Sequence, residues 1–179
     1  MKIEPNRLKM SHSLIIDEFV RNTESFVTWI ESPQADKIDE ASAALLHLSK
    51  IYASALQLMK VDVEKDETEE DPEDCKISVE EWKEVYERLN HLPFTYYKEV
   101  ESPHDSDGEE KFTDLVEDIT DTYQDLGEGL NLYKSGQHEQ ALCHWQMTFE
   151  FHWGRHVLGA MKALHCFFQE ESDFEVFQK

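Results

Sequence analysis

The sequence predicts an all-α bundle of about five helices that ends in an antiparallel helical hairpin. Three observations predict it. Apolar residues recur at helical spacing through nearly every patterned stretch, and the two-residue alternation of strands is almost missing. Near the C-terminus, Gly136 separates two long helical patterns by a turn so short that they must pack as antiparallel neighbours. The 179 residues suit one domain, so 1–179 reads as a single helical domain with mobile acidic loops at about 62–77 and 101–110.

The first helix is expected from about Ser13 to Ile30. Ile15, Phe19, Phe26 and Ile30, with Ile16, Val27 and Trp29, make one broad apolar face. Ser32-Pro33 ends it, because the residue before proline is pushed out of the α region. Asp36 or Asp39 can cap a second helix that runs to about Lys60 on Ile38, Ala41, Leu45, Leu48, Tyr52, Ala55 and Met59. Residues 62–76 then lose all periodicity in a run of like charges. Order restarts at Ser78-Val-Glu-Glu81, a capping box in which serine and glutamate satisfy each other's backbone amides. The helix it opens presents Trp82, Val85, Tyr86 and Leu89 and stops before Pro93. Phe94, Tyr96, Tyr97 and Val100 fit either a short extended piece or an aromatic turn.

The last third supplies the hairpin. A fourth helix is expected over about Glu109–Lys134 on Phe112, Leu115, Ile119, Tyr123, Leu126, Leu130 and Tyr133. Gly136 can adopt the left-handed conformation that ends helices. A fifth runs over about Gln137–Gln169 on Ala141, Leu142, Trp145, Phe149, Ala160, Ala163 and Phe167. Gly129, Gly136, Ala141 and Trp145 also match one tetratricopeptide unit, but no second copy follows at the repeat's period, so they read as a tight hairpin.

Charge narrows the function classes. The formal balance is −22, and residues 61–130, with 25 acidic and 6 basic side chains, carry −19 of it. Such a field repels nucleic-acid phosphates and anionic lipid, so neither is an expected partner. A basic or helical protein partner fits better. Cys75, Cys143 and Cys166 are odd in number and far apart, which suits reduced thiols and a cytoplasmic chain. No signal-peptide run opens the sequence, and no apolar stretch approaches the roughly 18 residues that cross a bilayer.

The candidate site lies on the hairpin. On a wheel with Trp145 at zero, Phe149 falls at about 40°, His152 at about −20° and His156 at about 20°, inside the apolar stripe. Folding the hairpin about Gly136 brings Asp118 level with Arg155, with Asp125 two turns away on the same flank. Asp118, Asp125, His152 and His156 can therefore converge. The leading reading is a buried histidine–aspartate bond that ties the two helices together. The alternative is a metal site: two histidines four apart plus facing carboxylates are ligand types for zinc, iron or manganese, which makes His152, His156 and Asp118 the candidate metal set. Glu101 stands three before His104, but none of the other eight histidines has a glutamate there, so the two Glu-x-x-His pairs of di-iron bundles are missing. His138 reads as a helix-start residue, His144 and His165 as off the stripe, and His47 as core edge. Asp105-Ser-Asp107-Gly108 resembles a calcium loop, but its glycine comes too early. No phosphate loop, nucleophile elbow or Cys–His dyad is present, and no catalytic constellation is expected.

Glu117-Asp118-Ile-Thr-Asp121-Thr-Tyr123-Gln124-Asp125-Leu126, Tyr133-Lys-Ser-Gly136, Phe149-Glu150-Phe-His152-Trp153-Gly154-Arg-His156 and Ala163-Leu164-His165 resemble the bacterial family called domain of unknown function 5063, over about residues 15–170. The resemblance implies a cytoplasmic all-helical domain without an assigned activity, and supplies no catalytic residues. Two expectations result: an acidic, non-enzymatic protein-interaction module with no cofactor, or a bundle that binds a divalent transition metal or small ligand at the His/Asp cluster.

Overall fold

The computed structural model describes residues 5–32, 36–63, 72–100, 104 and 107–170, with side chains from His12 onward. Helix α1 (Pro5–Glu31) buries Phe19, Phe26 and Ile30 completely. Helix α2 (Lys37–Leu58) packs on it through Ala41, Ala44, Leu48, Ile51 and Ala55. Asp36, not Asp39, caps α2, accepting the Ile38 amide at 3.0 Å and satisfying a donor that has no partner inside the helix. Met59, expected on the apolar stripe, is the C-cap and stands partly exposed.

Helix α3 (Val79–Leu89) starts at the expected capping box, with Ser78 N–H donating to Glu81 at 2.8 Å and Glu81 N–H donating to Ser78 Oγ at 3.2 Å. Near its end Arg88 clamps the junction of α1 and α2. Its Nε donates to the Ser32 carbonyl at 2.7 Å, and its guanidinium reaches the Trp29 carbonyl at 3.0 Å and the Glu40 carboxylate at 2.7 Å.

The first departure from an all-α chain follows. Strand β1 (Tyr96–Val100) pairs antiparallel with β2 (Glu110–Asp114), with Tyr97 opposite Thr113 and Lys98 opposite Phe112. Each strand is five residues long, too short to print a clear alternation beside helical neighbours. The extended reading of residues 96–100 is the right one. The expected helical start at Glu109 is wrong: Phe112 sits on β2, 75% exposed, and the helix begins at Leu115. The fold is mostly helical with one small two-stranded sheet.

The acidic loops are described only in part. Residues 72–77 are not loose: a 3-10 turn at Glu73–Cys75 buries Cys75, whose carbonyl accepts from Asn131 at 3.1 Å. The rest of that acidic run, 64–71, and residues 101–103, 105 and 106 lie outside the described residues, as does Asp105 of the calcium-like motif.

Helix α4 (Leu115–Lys134) is central, in contact with α1, α3, α5 (His138–Thr148) and α6 (Gly154–Glu170). Asp114 caps it, accepting the Val116 and Glu117 amides at 2.8 and 3.2 Å. Gly136, at φ +90°, turns the chain. Trp145 is fully buried, edge-on to Phe19 with ring centres 5.0 Å apart, and its indole donates to the Leu126 carbonyl at 3.2 Å. Gly129 makes that approach possible, since a Cβ there would lie 2.1 Å from Trp145 Nε1.

Helices α5 and α6 form one rod joined by a π turn, Phe149–Trp153. A π turn holds one residue more than an α turn, so everything after it changes phase. A straight helix puts His152, His156, Ala163 and Phe167 on the buried stripe. The structure buries Trp153, Val157, Leu164 and Phe168, each one residue later. The placement of both histidines inside the apolar stripe is therefore corrected: the π turn moves them to its flank. Gly154 makes the turn possible, because a Cβ there would meet the Phe149 carbonyl oxygen at 2.3 Å.

A candidate metal centre between α4 and α6

Asp118, Asp121 and Asp125 are spaced three and four apart, which lines them along one flank of α4. The π turn aims His152 and His156 at that flank, where their rings meet edge to face with centres 4.8 Å apart. His156 Nδ1 lies 2.5 Å from Asp118 Oδ1, and His152 Nδ1 lies 2.7 Å from Asp125 Oδ2. An ionised carboxylate only accepts, so each Nδ1 carries a proton, and in the neutral ring each Nε2 is the nitrogen left to ligate.

Asp118 is 2% exposed and both its oxygens are engaged, the second by the Tyr97 hydroxyl at 2.5 Å. Tyr97 reaches it from β1 across Gly159, where a Cβ would lie 2.2 Å from the hydroxyl oxygen. The hairpin thus contributes to the site. Asp121 stands at the open side: its Oδ2 is 4.0 Å from His156 Nε2, and its Oδ1 accepts from the Trp82 indole at 2.9 Å. One donor atom each from Asp121, His152 and His156 lie within 4.8 Å of one another.

Burial pulls the His156 pKa down, but the Asp118 hydrogen bond and the charges of Asp118 and Asp121 outweigh it and leave it above the ordinary histidine value. Burial raises Asp125, and the His152 hydrogen bond offsets this only in part. Burial and the Asp118 hydrogen bond hold the Tyr97 hydroxyl firmly protonated.

All four residues singled out from sequence come together, as two carboxylate–imidazole pairs. The sequence reading assigned the metal-facing carboxylate to Asp118, whereas the geometry puts Asp121 beside the free imidazole nitrogen. Asp121, Tyr97 and Trp82 were missed. The 118–121–125 spacing was a visible signal for Asp121; nothing local marked Tyr97 or Trp82. Three of the other histidines serve packing: His144 meets the Asp125 carbonyl at 3.0 Å, His138 stacks on Tyr133, and His47 stacks on Trp29.

Fold and site together define a helical bundle with a lateral His/Asp cluster braced by a small β-hairpin. No helix among the described residues is long and apolar enough to cross a membrane. The chain belongs to the family described as domain of unknown function (DUF5063), whose model matches residues 10–169. Among solved structures it is similar to protein BF1032 from Bacteroides fragilis, at 22% identity and a TM-score of 0.68, over 84% of this chain and 93% of that one. That likeness shows a shared fold. No curated protein matches the sequence at a significant level.

Proposed function

We propose that the protein binds one divalent transition-metal ion through Asp121, His152 and His156. One observation carries the reading: each candidate ligand is held from behind by its own partner. Asp118 fixes His156, Asp125 fixes His152, and the Trp82 indole fixes Asp121. Metal-binding histidines characteristically donate their second nitrogen to a carboxylate, which sets tautomer and ring orientation and makes the free nitrogen more basic. Metal–ligand lengths of about 2.0–2.2 Å place tetrahedral donors roughly 3.3 Å apart. The 4.0 Å between His156 Nε2 and Asp121 Oδ2 is therefore closed by a small side-chain rotation. Two imidazoles and a carboxylate suit zinc, iron or manganese.

Metal content of untagged protein by mass spectrometry, with melting before and after chelation, tests the reading. Stoichiometric metal and a lower melting temperature after chelation support it. Metal content unchanged in a His152→Ala, His156→Ala double variant counts decisively against it.

A second reading, an acidic module that engages a basic or helical protein, has its own support. The outward face of the hairpin exposes Tyr96 at 65% and Phe112 at 75%, with Lys98 5.7 Å from the Phe112 ring centre. Aromatic side chains are enriched at protein interfaces. Pull-downs from lysate at low and high salt test it, with Phe112→Ala as the control; a partner retained equally by wild type and variant would place the contact elsewhere.

A further inference from the structure

We infer that Glu117 is a fourth ligand, so that the centre closes as a four-donor site and leaves no position for a substrate. This rests on the metal reading above. Glu117 precedes Asp121 by one turn of α4, and side chains four apart on a helix are neighbours. It is exposed, and its carboxylate makes no hydrogen bond or ion pair among the described residues. Reorienting it breaks nothing.

Its surroundings favour a cation. The Glu117 carboxylate lies within electrostatic reach of Asp121, Asp114, Asp118 and His156, three like charges against one imidazole. A divalent ion between Glu117 and Asp121 would offset that crowding. A glutamate at this position also has one methylene more reach than an aspartate, which a donor one turn away needs. Two imidazoles with two carboxylates would fill all four positions of tetrahedral zinc, whereas catalytic zinc sites keep three protein ligands and one open position.

The test is zinc affinity of the full chain by competition with a chromogenic chelator, for wild type, Glu117→Gln, Glu117→Asp and Asp121→Asn. Glu84→Gln, an exposed charge on α3, is the control for long-range field. Circular dichroism confirms that each variant is folded. Glu117→Gln and Glu117→Asp are each expected to weaken zinc by about 10-fold or more, with Glu84→Gln unchanged. If Asp121→Asn loses zinc while Glu117→Gln keeps wild-type affinity, the fourth-ligand inference fails and the three-donor reading stands. Wild-type affinity in Glu117→Asp beside a weakened Glu117→Gln also overturns it, because charge alone would then explain the effect. A wild-type chain that binds no zinc, iron or manganese removes both.

Discussion

Asp118 joins His156 to Tyr97: one carboxylate oxygen takes the imidazole N–H at 2.5 Å and the other takes the phenol at 2.5 Å. A side chain on α6 and one on β1 are thus fixed by a single buried group on α4. Asp118→Asn removes the charge and leaves one of the two donors poorly matched. The variant is expected to lose about 1–3 kcal/mol of stability, the cost of an unsatisfied buried donor. Metal affinity should fall about 10- to 100-fold, as for other outer carboxylates. Urea unfolding and chelator competition read the two effects separately.

The metal-free protein and the metal complex should respond to pH in opposite directions. Asp125 and His156 both have folded-state pKa values above their ordinary 3.8 and 6.5. Each folded form therefore binds its proton more tightly than the unfolded chain does. Their contribution is fully present below the unfolded values and is lost as pH rises through the folded ones, first at Asp125 and then, above about 6.5, at His156. Melting temperature of chelated protein should thus fall above neutrality, and His156→Ala should flatten that slope. Zinc affinity should rise over the same interval, because the metal needs an unprotonated imidazole.

Gly154→Ala tests the π turn. Its methyl would meet the Phe149 carbonyl oxygen at 2.3 Å, a backbone atom that cannot rotate away. Overpacking of this kind costs about 1–3 kcal/mol. The variant should lose metal affinity as well, since any shift of the turn re-aims His152. Gly129→Ala, which presses on Trp145 instead, should lose stability alone; equal metal loss in both variants would separate the π turn from the site.

Arg88→Ala should be the most damaging single change away from the cluster. It strips Glu40, whose side chain is 1% exposed, of the Arg88 cation, and takes one donor each from the Trp29 and Ser32 carbonyls, the former keeping the Ser32 amide. Breaking one side of a buried pair costs about 3–5 kcal/mol. Arg88→Lys cannot reach three acceptors at once and should recover little of it by thermal melting.

The helices were legible because their signals are local. Capping at Ser78, the turn at Gly136 and the stripes of α1 and α4 each depend on neighbours in sequence. The β-hairpin was not, because five-residue strands carry too few alternations, and Phe112 fits a helical wheel as well as a strand. Periodicity also failed past Phe149. One added residue in a π turn leaves no mark in composition, yet it exchanges His156 for Val157 in the core. The four converging residues were still found, since i,i+4 histidines stay together through a phase change. Asp121's role depends on which imidazole nitrogen is free, and that is set by tertiary hydrogen bonds alone.

The turn at Gly136 has a kinetic corollary. The carboxylates of the cluster sit on α4 and its imidazoles on the rod that follows directly after Gly136, so the two pairs lie only 27 and 38 residues apart in sequence. The contact between α1 and α4, by contrast, spans the chain from Glu31 to Tyr123. Loop-closure entropy grows with the segment enclosed, and local contacts form soonest. The C-terminal hairpin is therefore the natural first structure of the folding chain, and its acidic and imidazole rows meet before the N-terminal helices arrive to seal the core.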